Sequence, residues 1–101
     1  MVTLKVGDQN IDFMVDTGAE LSVVTKSVSP LSKNTAVTGV SGEEMIKSFC
    51  QPRKCQIGGH QVIHEFLYIP ECPVPLLGRD LLSKLLQCIM YLQCMNFEFI
   101  I

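Results

Sequence analysis

The chain has 101 residues and a formal net charge of −2, and 48% of its residues are hydrophobic while 18% are charged. This length predicts a single domain over residues 1–101, and the high apolar fraction favours a subunit interface that covers apolar surface. The eight Lys and Arg residues form no basic stripe, and no apolar run reaches the roughly 18 residues of a membrane span, so neither a nucleic acid nor a membrane is predicted as a partner.

The first half of the chain contains short runs of alternating or β-branched apolar residues, which are typical of strands. Glycine, asparagine and proline separate these runs at turn positions. The predicted elements are a hairpin over residues 2–15, a strand over 21–25, a polar surface loop over 26–34, and a second hairpin with strands over 35–40 and 43–49.

The second half contains a third strand pair and one helical pattern. Leu81, Leu82, Leu85 and Leu86 form one apolar stripe at helical spacing. The predicted elements are a hairpin over residues 53–69 that turns at Gly58-Gly59, an extended proline-rich connector over 70–75, a helix over 79–86, and a C-terminal hairpin with strands over 87–92 and 96–101. Many short strands with one late helix indicate an all-β domain that closes into a barrel or sandwich.

The stretch FMVDTGA at residues 13–19 brings an apolar strand to a single carboxylate, Asp16. A carboxylate at the end of such a strand is costly unless it is solvated, hydrogen-bonded or paired. Asp, Thr and Gly are also common turn residues, so this stretch by itself is equally consistent with a plain turn.

A second stretch, LLGRD at residues 76–80, leads from an apolar pair through Gly78 into the predicted helix. Asp80 lies in the first helical turn, where a negative charge interacts favourably with the helix dipole. Ordinary helix initiation would explain this stretch if it stood alone.

Together and in this order, D-T-G-A at residues 16–19 and L-L-G-R-D at residues 76–80 resemble the retroviral aspartic proteases, the retropepsins. The stretches VTLKVGDQNIDFMVDTGAE and IHEFLYIPECPVPLLGRDLLSKL are most similar to the gammaretroviral branch, which includes endogenous retroviruses. The resemblance covers about residues 2–92. It implies a retropepsin-like closed β-barrel with one short helix, and an aspartic endopeptidase that acts as a twofold-symmetric homodimer without a metal or other cofactor.

The resemblance also implies a role for each residue of the D-T-G-A motif. Asp16 would be catalytic, and a chain with one D-T-G would take its second carboxylate from Asp16 of another copy. One carboxyl of the pair stays neutral as the acid, while the other acts as the base that activates water. Thr17 would hydrogen-bond across the dimer axis, Gly18 would let the substrate backbone approach, and Ala19 would keep the floor of the cleft open.

Two further features follow from the resemblance. Residues 36–48 would form the flap that closes over substrate, with Gly39, Val40, Ser41 and Gly42 at its tip. Arg79 would join the helix to the catalytic loop through an ion pair with Glu20, a position where gammaretroviral relatives tend to carry an amide. The residues 87–101 would supply a hairpin to the dimer interface.

Five cysteines and a start, MVTLKVGDQN, without an apolar signal-peptide core favour free thiols in a reducing compartment. The expected location is therefore a virion or the host cytoplasm, within a polyprotein or after release from it. Cys50, Cys55, His60 and His64 are zinc-ligand types, but their spacing does not match a structural zinc site. We expect partly buried thiols and exposed strand histidines instead.

Three hypotheses for the function follow. The first is a homodimeric endopeptidase that processes a Gag-Pol-type polyprotein at bulky apolar residues, and the intact D-T-G-A and L-L-G-R-D favour it. The second is an inactive endogenous-retroviral relic or an adopted binding domain, favoured by an apolar tail that lacks a polar turn. The third is a retropepsin-like domain of a larger host protein, with the same chemistry and another substrate.

Overall fold

Nine short strands and one C-terminal helix make up the fold, in a computed structural model that describes residues 1–39 and 41–94, with side chains described up to residue 87. The elements are β1 (Val2–Val6), β2 (Gln9–Val15), β3 (Val23–Val24), β4 (Leu31–Thr38), β5 (Glu44–Cys50), β6 (Arg53–Ile57), β7 (His60–His64), β8 (Leu67–Tyr68), β9 (Leu76–Leu77) and α1 (Arg79–Cys94). This composition confirms the predicted retropepsin-like, mostly-β fold with a single helix in the described residues.

The strands form one sheet in the order β4-β5-β8-β3-β9-β2-β1-β6-β7, which curls into a half-barrel. Strand β2 pairs with β1 as an antiparallel hairpin, with Val2 opposite Phe13. On its other side β2 runs parallel to β9, with Val15 opposite Leu77, and β9 also pairs with β3. The two ends of the loop between β2 and β3 are therefore both attached to β9, the strand that leads into the helix.

The core lies inside the curl, beneath the helix. Phe13 of β2 and Phe66, just before β8, are fully buried, and their rings stack with centroids 5.6 Å apart. Leu77 and Leu81 pack in the same cluster and connect β9 and α1 to it. Buried aromatic pairs of this kind contribute large apolar areas as well as a favourable ring geometry. The core thus ties β2, β9 and the first turn of the helix into one unit.

The predicted hairpins are confirmed for residues 2–15 and for the pair β4–β5, but two boundaries differ. Strand β4 begins at Leu31, inside the segment predicted as a loop, because Leu31 pairs with Cys50 at the far end of β5. The third hairpin was predicted to extend to residue 69, but its second strand, β7, ends at His64. Residues 67–68 form a separate strand, β8, which pairs with β3 and β5. Both differences arise from pairing between distant segments, which overrides local loop or strand preference.

The helix starts at the predicted residue and ends later than predicted. It runs from Arg79 to Cys94, so the strand predicted over 87–92 is wrong, and the second predicted strand, 96–101, lies outside the described residues. No Gly or Pro follows Leu86 to stop the helix, and extending a formed helix adds a hydrogen bond with each residue. Leu86 itself is 57% exposed, so the apolar stripe stops at Leu85. No helix within the described residues is long and apolar enough to cross a membrane.

Candidate active site

Asp16 directly follows β2 and is held by backbone groups on both sides. Its N–H donates to the carbonyl oxygen of Leu77 over 3.0 Å, and its own carbonyl accepts from the N–H of Ala19 over 3.1 Å. The Oδ1 atom accepts from the N–H of Gly18 over 3.1 Å, while the side chain remains partly exposed. The carboxylate is therefore oriented by its own loop and is still open to solvent.

The other residues of the D-T-G-A motif lie at the surface of this loop. Thr17 and Gly18 are exposed and Ala19 is half-buried. A Cβ atom at Gly18 would lie 3.3 Å from Oδ1 of Asp16, which is closer than ordinary van der Waals contact. Glycine at this position therefore leaves room for the hydrogen bond to the carboxylate. The bond predicted for Thr17 across a dimer axis involves a second chain and stays a prediction.

The helix begins directly against this loop. The first N–H groups of a helix have no partner within it, and here Arg79 N–H donates to the carbonyl of Ala19 over 2.9 Å and Asp80 N–H to that of Glu20 over 3.2 Å. A Cβ atom at Gly78 would lie 2.6 Å from the backbone of Leu21, so only glycine allows this close approach. The helix and the D-T-G-A loop are joined by main-chain contacts.

The predicted ion pair between Glu20 and Arg79 is not formed. Both side chains are exposed, and none of the ion pairs among residues 1–39 and 41–87 joins them. The main-chain bond from Arg79 to Ala19 connects the two segments instead. Two solvated side chains gain little from pairing, because water screens their attraction.

A polar cluster that is buried at Ser22 and His64 and partly buried at Asp80 lies beside the D-T-G-A loop. Oδ1 of Asp80 accepts from the hydroxyl of Ser22 over 2.7 Å and from the N–H of Leu81 over 2.7 Å. Nε2 of His64 lies 2.8 Å from Oδ2 of the same carboxylate. Burial raises the pKa of Asp80, but the hydrogen bonds from His64 and Ser22 and the nearby imidazole outweigh it, so the pKa falls below its ordinary value.

His64 connects this carboxylate to Lys84. Its side chain is only 5% exposed, with Nδ1 2.8 Å from Nζ of Lys84, and Phe66 contacts the ring edge-on. Because an ammonium group can only donate, Nδ1 accepts from Lys84 and Nε2–H donates to Asp80. These partners assign the Nε2–H tautomer. We call Ser22, His64, Asp80 and Lys84 the Asp80 network.

This network was not predicted from the sequence. Asp80 was expected to initiate the helix, and it does lie in the first helical turn. His64 was expected to be an exposed strand histidine, which is wrong because His64 is buried. Two signals were present in the sequence. Asp80 and Lys84 are four residues apart, so they share one helix face. His64 lies on the same inward face of β7 as His60 and Val62, and the exposed Gln61 and Ile63 alternate with them.

The predicted flap corresponds to the hairpin β4–β5. Its turn is closed by Gly39 N–H, which donates to the carbonyl of Glu43 over 2.8 Å, and by Gly42, which has a φ of 85°. The hydroxyl of Ser41 donates to the Glu43 carboxylate, and this bond lowers the pKa of Glu43. Val40 lies outside the described residues.

A groove of about 560 Å³ lies between the catalytic loop and the flap hairpin. It is lined by Gly18, Ala19, Glu20, Leu21, Val23, Ala36, Val37, Thr38, Gly39, Met45, Leu67, Ile69 and Leu76. A separate cavity of about 520 Å³, near Lys5, Arg53 and Gln61, contains none of the predicted site residues. Gly18 and Ala19 of the D-T-G-A motif and Gly39 of the predicted flap tip thus line one mostly apolar groove, whereas Asp16 and Thr17 are not among its lining residues.

The described cysteines are free thiols. Cys50 and Cys55 are buried and Cys72 is half-buried, and burial raises the pKa of Cys55 to about 11 although the charge of Lys84 opposes it. Among the residues that the structure describes, no three His, Cys, Asp or Glu side chains come together as metal ligands. His64 has both ring nitrogens engaged in the Asp80 network.

Comparison with known proteins agrees with this geometry. A family profile for the retroviral aspartyl protease matches residues 1–90. The Gag-Pol polyproteins of Feline leukemia virus and Baboon endogenous virus are each 51% identical to this chain over 85 residues, and that of Koala retrovirus is 52% identical over 85 residues. Each alignment covers 83% of this chain and 5% of the polyprotein, so the chain spans about a twentieth of the relatives it matches. This chain therefore belongs to the retroviral aspartyl protease family and is a retropepsin of the gammaretroviral type.

Proposed function

We propose that the chain is an aspartic endopeptidase whose active site forms from Asp16 of two copies. The observation that carries this proposal is the position of Asp16 at the end of β2, where it is held by Gly18 N–H and the Leu77 carbonyl and lies close in sequence to the groove-lining pair Gly18 and Ala19. A single D-T-G motif provides one such carboxylate per chain. Two are needed for this chemistry, so a twofold axis beside Asp16 would supply the second.

The proposed reaction uses the two carboxyls as an acid and a base. The pair holds one proton, because two negative charges a few ångströms apart repel each other. The ionised carboxylate removes a proton from water as the water oxygen bonds to the scissile carbonyl carbon, and the neutral carboxyl protonates the carbonyl oxygen. The tetrahedral intermediate then collapses: the C–N bond breaks, the amine nitrogen takes a proton from the carboxyl that received one, and one hydroxyl of the intermediate returns its proton to the other carboxylate. This restores the starting pair of one neutral and one ionised carboxyl.

Exposed apolar side chains next to Asp16 support a second copy at this point. Met14 and Val15, which precede Asp16 in β2, are each 44% exposed, and Met1 at the adjacent end of β1 is 77% exposed. Large exposed apolar groups concentrated in one area mark interaction surfaces. Thr17 is exposed at the same place, where it would donate across the axis as the sequence predicts.

The groove suggests the class of substrate. Leu21, Val37, Met45, Leu67 and Leu76 give it an apolar wall that suits bulky apolar side chains of an extended peptide. Hairpin β4–β5 would act as the flap, with Gly39, Val40, Ser41 and Gly42 closing over that peptide. The matched relatives are named Gag-Pol polyproteins, so we propose that a polyprotein of this type is the substrate and that the protease acts within it or after release, in a virion or the host cytoplasm.

A second candidate function has one observation in its favour. The segment predicted as the first strand of the dimerisation hairpin, 87–92, is helical. A chain without that strand would keep the fold but dimerise weakly, as an inactive relic or an adopted binding domain would. Whether the purified chain is a dimer therefore separates the two candidates.

The decisive experiment compares wild-type chain with Asp16→Asn on a peptide that has an aromatic or leucyl scissile bond, at mildly acidic pH. We expect cleavage by the wild type and none by the variant. Asp12→Asn, which changes an exposed Asp on the same strand, is the matched control and should keep its activity. Cleavage that persists in Asp16→Asn would refute the mechanism.

Mixing the two chains tests whether one site needs two copies. Excess Asp16→Asn chain should suppress wild-type activity, because mixed dimers hold a single carboxylate, while excess Asp12→Asn chain should not. Sedimentation of the wild type should show a dimer. A monomer without cleavage would support the second candidate instead.

A further inference from the structure

One peptide group, between Leu77 and Gly78, is bonded on both of its polar atoms to the catalytic loop. Its carbonyl oxygen accepts from the N–H of Asp16 over 3.0 Å. Its N–H donates to the hydroxyl of Ser22 over 2.9 Å. A peptide group is planar and rigid, so a shift of the Ser22 hydroxyl tilts the group that holds Asp16.

The hydroxyl of Ser22 is in turn held by the Asp80 network. Ser22 is fully buried, and its oxygen accepts from Gly78 N–H while its proton goes to Oδ1 of Asp80. A hydroxyl has one proton to donate, so the bond from Ser22 requires an acceptor at Asp80, while a lone pair of the same oxygen accepts from Gly78 N–H. The carboxylate defines which way the Ser22 hydroxyl points.

The hydrogen bonds that link Gly78, Ser22, His64 and Lys84 all run toward the Asp80 carboxylate. From one side Gly78 N–H donates to Ser22, which donates to Asp80. From the other side Lys84 donates to Nδ1 of His64, whose Nε2–H donates to Asp80. Lys84 also donates to the carbonyl of Ile63 over 2.7 Å, which keeps its ammonium group at the imidazole. The direction of each bond depends on the charged groups at Lys84 and Asp80.

We propose that Asp80 and His64 are positioning residues for Asp16, and that they act through the Ser22 hydroxyl and the peptide group between Leu77 and Gly78. This inference rests on the proposed protease function. The network lies behind the catalytic loop and does not line the groove, so it acts on the orientation of Asp16 and leaves substrate binding alone. Disturbing it should lower kcat and leave KM unchanged.

The test exploits the direction of the hydrogen bonds. In Asp80→Asn the amide oxygen must stay where it accepts from Ser22 and Leu81 N–H. The NH2 group therefore faces Nε2–H of His64, and two donors meet. The alternative tautomer of His64 would direct Nδ1–H at the Lys84 ammonium. We expect kcat to fall roughly 10- to 100-fold, the effect of a small misplacement at the reacting group, while KM stays within about twofold. Adding Lys84→Met releases Nδ1, lets His64 accept from the amide, and should recover part of kcat.

Recovery in the double variant is the signature of coupling through one hydrogen-bond network, because substitutions at sites that share no partner add their losses. Asp12→Asn with Lys54→Met repeats the same chemical changes at exposed positions and should leave kcat unchanged. An Asp80→Asn chain with wild-type kcat would overturn the proposal, and so would a double variant no better than the single one.

A measurement that needs no catalysis separates this proposal from the proposed function. Hydrogen exchange of the Asp16 N–H should be slow in the wild type and faster in Asp80→Asn, because its acceptor, the Leu77 carbonyl, loses its orientation. If the wild type shows no cleavage but its Asp16 N–H exchanges more slowly than that of Asp80→Asn, the proposed protease function fails, while the proposal that Asp80 positions Asp16 is supported. Should Asp80→Asn not fold, Ser22→Ala removes only the hydroxyl and should show the same faster exchange; unchanged exchange there would overturn the proposal.

Discussion

The segments that hold Asp16 and the predicted flap hairpin are built in opposite ways. The first region, residues 13–22 with 76–85, contains buried side chains, main-chain bonds between distant segments and, together with His64, the Asp80 network. The flap hairpin, 36–48, has an exposed turn whose bonds join residues at most four positions apart. Contacts within a short segment move with that segment, whereas contacts between distant segments oppose motion. The difference indicates a rigid support for Asp16 and a hairpin tip that can open.

The base of the flap hairpin is tied down more firmly than its tip. Nζ of Lys47 on β5 pairs with the carboxylate of Glu71 in the proline-rich connector, and this bond lowers the pKa of Glu71. Ser48 of the same strand donates to Asn34 across the hairpin over 2.6 Å. An anchored base with a locally bonded tip allows the tip to move without disturbing the sheet.

The largest expected contrast concerns apolar side chains. Phe66→Ala removes a fully buried ring that stacks on Phe13, and it should lower the free energy of unfolding by roughly 3–5 kcal/mol. Ile46→Ala, at a 68% exposed position of the flap hairpin, should change it by less than about 0.5 kcal/mol. Urea unfolding of the two variants checks this, and equal losses would contradict the contrast between the regions.

The next contrast uses one glycine from each region. Gly78→Ala introduces a Cβ atom 2.6 Å from the backbone of Leu21, so the helix start must shift, and the free energy of unfolding should fall by about 1–3 kcal/mol or more. Gly42→Ala meets no atom within 4 Å, and its cost of about 1–2 kcal/mol comes from the positive φ alone.

Activity should separate these two glycine variants further. Gly78→Ala should also lower kcat, because it displaces the peptide group that binds Asp16. Gly42→Ala should act on KM through the proposed flap. Peptide kinetics would refute this division if Gly78→Ala changed KM alone.

The smallest expected contrast is in the dependence of stability on pH. The pKa of Asp80 is lower in the folded chain than its ordinary value of 3.8, so its contribution to stability is complete above that value and is lost as the pH falls through the folded-state pKa. Asp80→Asn should therefore flatten the acid limb of the stability curve. Glu43→Gln should leave that limb nearly unchanged, although the pKa of Glu43 is also lowered, because solvent screens this exposed carboxylate. Thermal unfolding below pH of about 4 measures both curves.

The sequence predicted the features that local patterns encode. Alternation in residues 2–6 predicted β1, the turn at Gly7 and Asp8 predicted its hairpin with β2, and the leucine spacing predicted the start of α1. These predictions of strands and of the helix start depended on residues close together in the chain. The resemblance predicted a link between the helix start and the D-T-G-A loop through a Glu20–Arg79 ion pair, whereas main-chain bonds to Ala19 and Glu20 make that link.

The errors occurred where distant segments determine the structure. Leu31 was expected in a loop, but its pairing with Cys50 makes it a strand residue. His64 was expected at the surface, but Asp80 and Lys84 of the helix cover it. The strand expected over 87–92 is helical because the helix meets no stop signal, so strand preference in that segment was weaker than the continuation of a formed helix.

By itself, the sequence determined the family, the mostly-β class and the one carboxylate that each chain offers, since short motifs and strand periodicity carry that information. Only the tertiary structure decided how Asp16 is held. Residues 16, 22, 64 and 78 are far apart in the chain, and no local pattern states which of them will meet. Folding brings them to one rigid peptide group and to the partly buried carboxylate of Asp80, where the buried donors of Ser22 and His64 find their acceptor.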